Sequence, residues 1–245
     1  MAGIKYQQIF QSLRENIESG NYAFQEMLPS ETALTKTYDC SRNTVRRALA
    51  ALAERGYVQS MCGKGSRVIY QPQEQSEILL SSYENLKETA RRLKKNYSTK
   101  VICFTELTVD EKIKARTTFE TGTEIYYIQR VRYFDGKALI IDHNYLRKDI
   151  VRNITKDIAE QSVYEYLENE LGEDIVTTKK RITVEHMTEL DEKYMDLKDF
   201  NCVVVVSGQA FNADGVMFEY TQSRHKPDSF VFYDQARRGP AADMQ

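Results

Sequence analysis

The 245-residue sequence is short of chain-breaking residues, with 11 glycines and 4 prolines, and that scarcity excludes collagen-like and low-complexity classes. General disorder is excluded by the balance of 41% hydrophobic and 29% charged residues. Cysteine is equally sparse. Cys40, Cys62, Cys103 and Cys202 lie far apart, with no C-x-x-C pair and no histidine at ligand spacing; neither a zinc site nor a disulfide framework is expected, and all four read as reduced thiols. Long apolar runs are missing too: Val203 to Val206 with its flanks falls far below the ~18 residues needed to cross a bilayer. The opening MAGIKYQQIF holds no signal-peptide hydrophobic region, so the chain is expected in the cytoplasm without a membrane partner. The triplets Asn96-Tyr97-Ser98 and Asn153-Ile154-Thr155 are then chance glycosylation matches. Finally, His143, His186 and His225 are candidate bases with no G-x-S-x-G, H-E-x-x-H or Cys-His signature beside them. No enzyme, cofactor or metal is expected.

The length suits one large domain or two modest ones. The net charge of -2 hides an asymmetry: residues 1–70 hold nine Lys+Arg against six Asp+Glu, or +3, and the remainder 25 against 30, or -5. A small basic domain precedes an acidic one, which suggests a nucleic-acid partner only where the positive charges share a face. In the basic part, Tyr6, Ile9, Phe10, Leu13 and Ile17 recur at helical spacing up to Gly20. Leu28-Pro29-Ser30-Glu31 holds the chain extended and then caps a second helix over Glu31–Tyr38. Ser41 caps a third, whose stripe Val45, Ala48, Leu49 and Leu52 ends at Gly56.

The other face of that third helix starts with Arg42, Asn43, Thr44 and Arg46. A helix laid into a major groove meets bases and phosphates there, arginine suiting guanine and asparagine adenine. Tyr57–Ser60 and Arg67–Tyr70 read as two strands around the flexible tip Gly63-Lys64-Gly65. A nucleotide-binding loop at Gly63–Ser66 fails on residue order. The charge pattern by itself also suits a helical bundle with a merely solvated basic face; the combined spacing favours a helix-turn-helix with a wing. Leu28-Pro29-Ser30-Glu31, Ser41-Arg42-Asn43-Thr44-Val45-Arg46, and Gly56-Tyr57 through Gly63-Lys64-Gly65-Ser66 resemble the winged-helix domain of the GntR superfamily of bacterial transcription regulators. The resemblance implies a DNA-binding domain over 1–70 whose partner is double-stranded operator DNA. Ser41, Arg42, Asn43, Thr44 and Arg46 would approach from the recognition helix, and Gly63, Lys64 and Gly65 from the wing. Thr32 stands where relatives often carry an operator-contacting arginine.

Gln71-Pro72-Gln73-Glu74-Gln75-Ser76 is polar and aperiodic, placing a linker over 71–79. Beyond it, Leu86, Ala90 and Leu93 mark a helix whose Arg91, Arg92, Lys94 and Lys95 are either solvated or turned to DNA. Val101, Cys103, Thr105 and Leu107 alternate along a strand. Hairpins follow at Glu124–Tyr133 with Leu139–Tyr145 around Asp135-Gly136, and at Val203–Phe211 with Val216–Ser223 around Ala213-Asp214-Gly215. Between them lie a helix on Val163, Tyr164, Leu167 and Leu171, capped by Ser162 and stopped by Gly172, and a strand over Ile175–Glu185; a last strand is expected at Phe230–Tyr233. Antiparallel strands with a few helices make an α+β domain.

Arg130 and Arg132, two apart on one strand, project from the same face and can converge on an anion such as phosphate. Ser162 and Tyr164 add hydroxyls, Asp142 and Glu219 place carboxylates in apolar strands, and Arg224 and His225 cluster near the end of the Glu219 strand. Alternation alone equally allows these charges to lie on solvent faces. Ser82-Tyr83-Glu84, Arg130-Val131-Arg132, Asp142-His143-Asn144-Tyr145, Ser162-Val163-Tyr164-Glu165-Tyr166, and Phe218-Glu219-Tyr220 with Ser223-Arg224-His225 resemble the UTRA effector domain of the HutC branch of the superfamily. That resemblance covers residues 80–238 and implies a chorismate-lyase-like fold that binds ligands without catalysing a reaction. In sugar-phosphate-sensing members the phosphate is held at positions matching Ser82, Tyr83, Arg130, Arg132, Ser162 and Tyr164, and the sugar at those matching Asp142, Glu219 and His225. Asp142 replaces the glutamate common in relatives. Ser162–Gly172 and Glu219–Arg238 resemble the trehalose-operon group of the branch, which implies trehalose 6-phosphate as effector; glucosamine 6-phosphate and other hexose phosphates share the anion. A homodimer that represses, or alternatively activates, its promoter is expected, because paired readers match a palindromic operator.

Overall fold

In the computed structural model of the chain, which describes residues 2–71, 90 and 94–232, the first unit is built on three helices. Helix α1 (Ala2–Glu18) turns Ile9, Phe10, Leu13 and Ile17 into the core. Helix α2 (Glu31–Thr37) starts where the Ser30 hydroxyl accepts from the Ala33 N–H, and α3 (Arg42–Glu54) where Ser41 accepts from Thr44. Val45, Ala48, Leu49 and Leu52 of α3 close the core against α1. Gly56, at φ +79°, ends α3 in a conformation a side chain would resist.

Strand β1 (Val58–Met61) pairs antiparallel with β2 (Gly65–Val68). The strands thus run closer to the tip than the sequence suggests, and Gly65 sits in β2. The segment after α1 pins this wing: Leu28 N–H donates to Ser66 O (2.9 Å), and Val68 N–H to Glu26 O (2.8 Å). Residues 2–71 on the one hand, and 90 and 94–232 on the other, fall in separate compact units.

The second unit is a six-stranded antiparallel sheet in the order β3-β4-β5-β8-β7-β6. Its strands are β3 (Tyr97–Thr108), β4 (Glu124–Phe134), β5 (Lys137–Arg147), β6 (Ile175–His186), β7 (Cys202–Asn212) and β8 (Met217–His225). The β4–β5 hairpin turns at Asp135 (φ +49°) and Gly136 (φ +76°), the paired left-handed conformation that Asp-Gly favours. Helices α4 (Glu111–Thr117), α5 (Lys156–Gln161), α6 (Val163–Asn169) and α7 (Glu189–Tyr194) pack around the sheet. All four span only 6 or 7 residues, too few turns for a periodic stripe; α6 stands out in the sequence through its Ser162 cap and the Gly172 stop.

The architecture is α+β, a winged helix-turn-helix followed by an antiparallel-sheet domain. One expected element differs. Instead of a strand at Phe230–Tyr233, a 3-10 turn at Pro227–Ser229 ends the described chain's regular structure, with residues 230–232 irregular and Tyr233 outside the described residues. The segment leaves β8, which already pairs on both sides with β5 and β7, and Pro227, with no N–H to donate to a ladder, starts a turn there. Ala90 is helical and buried against Phe134 and Ile140, while Leu86, Arg91, Arg92 and Leu93 lie outside the described residues.

Alternation sorts the sheet into two faces. Tyr126, Ile128, Leu146, Ala210 and Phe218 meet Ala159 of α5 and Val163 and Leu167 of α6 on one face; Val131, Ile141, Val203 and Val205 meet Met195 and Leu197 on the other. In the first unit, Leu52 is 0% exposed. Leu52→Ala is expected to destabilise that unit by about 2–5 kcal/mol, checked by chemical denaturation followed by circular dichroism; a loss near zero would contradict the three-helix packing.

Candidate functional site

Two surfaces carry functional chemistry. On the first unit, Arg42, Asn43 and Arg46 are exposed at the start of α3, where unpaired N–H groups and the helix dipole attract anions. Ser41 spends its hydroxyl locally, accepting from Thr44 N–H at 3.2 Å and lying 2.9 Å from the Thr44 hydroxyl. Thr32 accepts from the Arg42 guanidinium at 3.3 Å, so it steadies Arg42 from α2. Arg46 faces Glu31 across 3.7 Å with 71% of its side chain exposed, a pair too solvated to hold it. At the wing tip, Gly63, Lys64 and Gly65 are exposed, the glycines at φ +69° and +97°. A Cβ on Gly65 would also come within 3.2 Å of Met27 Cε. The arrangement presents cations and amide donors on an exposed helix start and a narrow tip.

On the second unit, the helix-covered sheet face carries a buried polar cluster. Register sets Arg130 of β4 opposite Asp142 of β5, with Arg132 two residues on along the same face. Arg132 Nε donates to Asp142 Oδ2 at 2.8 Å, and its Nη1 to the Tyr97 hydroxyl and to Thr99 Oγ1 (2.9 Å). Arg130 Nε donates to Asn144 Oδ1 at 3.0 Å and its Nη1 to the Ala159 carbonyl at 3.3 Å, one of the carbonyls a helix end leaves without an intrahelical partner. Its Nη2 lies 3.8 Å from Asp142 Oδ2. Asn144 Nδ2 in turn donates to Glu219 Oε1 (3.0 Å) and Thr221 Oγ1 (2.8 Å), and the Tyr164 hydroxyl donates to Glu219 Oε2 at 2.6 Å. Ser162 caps α6 by accepting from Glu165 N–H at 3.3 Å. His225 is buried edge-on to Phe230, and neither ring nitrogen has a hydrogen-bond partner among the described residues.

Burial and charge pull these groups apart. Burial, then the Arg132 charge, lowers Arg130 to about 10, still protonated at neutral pH. Burial pushes the Asp142 carboxyl up, but the Arg132 and Arg130 guanidiniums outweigh it and hold the group below its ordinary value. Burial beside Glu219 raises the Tyr164 phenol far above its usual range, keeping it a donor. Such a site can bind an anion and the hydroxyls of a polar ligand.

The structure brings Arg130, Arg132, Asp142, Tyr164 and Glu219 into one hydrogen-bonded cluster, with His225 on the same sheet face and Ser162 at the start of α6. Ser82 and Tyr83 lie outside the described residues. Arg224 is a correction: one residue out of phase with Ser223 and His225, it points to the opposite face. There it donates to Asp191 (3.0 Å), Glu185 (3.0 Å) and the His186 carbonyl (2.9 Å), a closed structural contact. Sequence reading missed Asn144, Thr221 and Ser223, although period two from Asp142 and Glu219 points to all three. Tyr97 and Thr99 depended on the β3–β4 register, which no local signal carries.

Comparison with known proteins agrees with both surfaces. The family model of bacterial regulatory proteins, gntR family, matches residues 5–68, and that of the UTRA domain matches residues 92–231. The chain is 38% identical over 235 residues to the HTH-type transcriptional regulator TreR of Bacillus subtilis, covering 96% of this chain and 98% of that one. Among solved structures, that of the effector binding domain of the B. subtilis trehalose repressor superposes with a TM-score of 0.53 at 37% identity, over 58% of this chain and 99% of that one. The possible transcriptional regulator YydK of B. subtilis shares the fold with a TM-score of 0.82 at 24% identity, over 95% of this chain and 99% of that one.

The buried His225 imidazole, without a partner among the described residues, makes stability depend on pH. Burial lowers His225 from 6.5 to about 4, so between those values the unfolded chain takes up a proton that the folded chain refuses. Stability is therefore lost as pH falls through that window, by about 3 kcal/mol from this group. His225→Gln should flatten the decline seen in denaturant titrations across it; an unchanged slope would show that the ring is not held neutral.

Proposed function

The chain belongs to the gntR family of bacterial regulatory proteins, in the UTRA-bearing HutC branch, a family of DNA-binding transcriptional regulators and not of enzymes, and we propose that it represses a sugar-utilisation operon, that of trehalose, until a sugar phosphate releases it. The proposed effector is trehalose 6-phosphate. What carries the reading is the pair of buried arginines, Arg130 and Arg132, beside the carboxylates of Asp142 and Glu219: cations for a phosphate and acceptors for sugar hydroxyls in one cluster. Support for trehalose comes from the 38% identity to TreR, the trehalose repressor of B. subtilis.

In this reading Arg130, Arg132, Ser162 and Tyr164 hold the phosphate, with Ser82 and Tyr83 assigned by resemblance, while Asp142, Glu219 and His225 hold the sugar. Arg42, Asn43, Thr44 and Arg46 meet operator bases and phosphates, Ser41 and Thr32 steady that helix start, and Gly63, Lys64 and Gly65 enter the minor groove. The protein acts as a homodimer, so that two readers face two operator half-sites. The effector releases DNA by binding the DNA-free arrangement more tightly, and about 1–3 kcal/mol of coupling gives roughly 5-fold to 150-fold regulation.

Fluorescence anisotropy of labelled DNA from upstream of the protein's own gene, at fixed salt, tests the reading. Trehalose 6-phosphate should weaken binding, and glucosamine 6-phosphate and trehalose should not. In the same assay Arg130→Ala should bind operator like the parent but lose the response, whereas Arg42→Ala should weaken operator binding by about 1–3 kcal/mol. An Arg130→Ala protein that still responds would remove the anion site from this cluster.

A further inference from the structure

Asp142 occupies the position that an effector's anion needs. Its Oδ2 accepts from Arg132 Nε at 2.8 Å and lies 3.8 Å from Arg130 Nη2, so one carboxylate oxygen sits between both guanidiniums. The other oxygen, Oδ1, accepts from the Ser223 hydroxyl at 2.7 Å. The side chains of Arg130, Arg132 and Asp142 are 6%, 8% and 4% exposed. With Glu219 also buried, two cations on this face are already balanced by two carboxylates among the described residues.

A phosphate monoester carries close to two negative charges at neutral pH. Added to a balanced buried cluster, it would leave an excess of negative charge where solvent screens poorly. Taking the place of a carboxylate already there avoids that excess.

We infer that Asp142 is a built-in counter-ion that the effector's phosphate displaces from Arg130 and Arg132, so that binding is an exchange of anions. The inference rests on the effector reading above. Released from the arginines but still bonded to Ser223, the Asp142 carboxylate is free to accept a sugar hydroxyl. The exchange also explains why a phosphorylated sugar would be read and a neutral one ignored: a neutral sugar brings nothing to replace the carboxylate on the guanidiniums, and displacing it would leave two buried cations unpaired. Asp142 thereby sets specificity for charge as well as contacting the ligand.

The test uses inorganic phosphate, which has the anion and no sugar, titrated calorimetrically and by thermal shift into full-length parent, Asp142→Asn and Ser223→Ala. Asp142→Asn keeps shape and removes the competing charge, so phosphate should bind about tenfold more tightly than to the parent and raise the variant's melting temperature more. Ser223→Ala keeps the carboxylate but removes its anchor, and should tighten phosphate by a smaller factor. The second variant also covers the case in which Asp142→Asn folds poorly. Trehalose 6-phosphate should gain less than phosphate in Asp142→Asn, because its sugar loses an acceptor. Phosphate binding both variants no better than the parent, while the parent responds to trehalose 6-phosphate, would overturn the exchange and leave the effector reading intact. No binding of phosphate or of any sugar phosphate to any of the three proteins would overturn both.

Discussion

Burying a guanidinium inside a sheet domain costs several kcal/mol unless charge and hydrogen bonds around it compensate, and here two are buried side by side. Much of the second unit's polar organisation answers that cost. The register that sets Arg130 against Asp142 supplies the nearest charge. Asn144 links Arg130 to Glu219, Tyr97 and Thr99 accept from Arg132 Nη1, and the Ala159 carbonyl at the end of a short helix accepts from Arg130 Nη1. Even the irregularity in β3 is tied in. The register shift between Val101 and Cys103 falls beside this cluster, and the Val101 N–H donates to Glu160 of α5 at 3.0 Å. The short helices therefore do more than cover apolar strands; their ends and side chains finish the hydrogen bonding of the strands beneath.

The opposite sheet face shows the same physics with a different result. Arg224 is also buried, but Asp191 and Glu185 and the His186 carbonyl satisfy it from a neighbouring helix and strand. Asp191, fully buried, doubles as the capping-box partner of Thr188 at the start of α7, accepting from Thr188 N–H at 2.8 Å. That contact is locked by two structural duties and lies on the face opposite His225, whose ring nitrogens have no partner among the described residues. Proximity in sequence to Glu219 and His225 made Arg224 look like part of the same site. The pleat separates them, since odd and even positions of β8 serve opposite faces.

How much of this was readable before the structure follows from the range of the interactions. Local signals carried the winged helix almost entirely: Ser30 and Ser41 caps, Gly56, and the apolar stripe of α3 are encoded within a few residues each. The Asp135-Gly136 and Asp214-Gly215 turns fixed the two hairpins for the same reason. The face shared by Arg130, Arg132, Asp142 and Glu219 needed only period two. The partners of those residues needed strand order, since Arg132 meets Tyr97 across 35 positions and Asp142 meets Ser223 across 81. The 3-10 turn at Pro227 was obscured because Phe230 to Tyr233 is apolar enough to suggest a strand, whereas β8, from which the segment leads, is already paired on both sides. Phe230 instead packs against His225, with ring centroids 5.0 Å apart.

The two surfaces exploit ion pairing at opposite ends of its range. On α3, Arg46 and Glu31 face each other in solvent at 3.7 Å, an interaction of at most about 1 kcal/mol. Exchanging such a partner for a phosphate costs little, so the proposed DNA contact there would be governed by counter-ion release and fall steeply with salt. In the sheet, Asp142 cannot be stripped from Arg130 and Arg132 without a replacement, because the bare cations would be left buried. In the proposed exchange only a ligand that brings its own anion can take that place, and ionic strength acts weakly on groups so shielded. On the proposed reading the DNA surface is permissive in charge and leaves discrimination to base contacts by Arg42 and Asn43, whereas the proposed effector cluster discriminates by charge before any sugar hydroxyl is read.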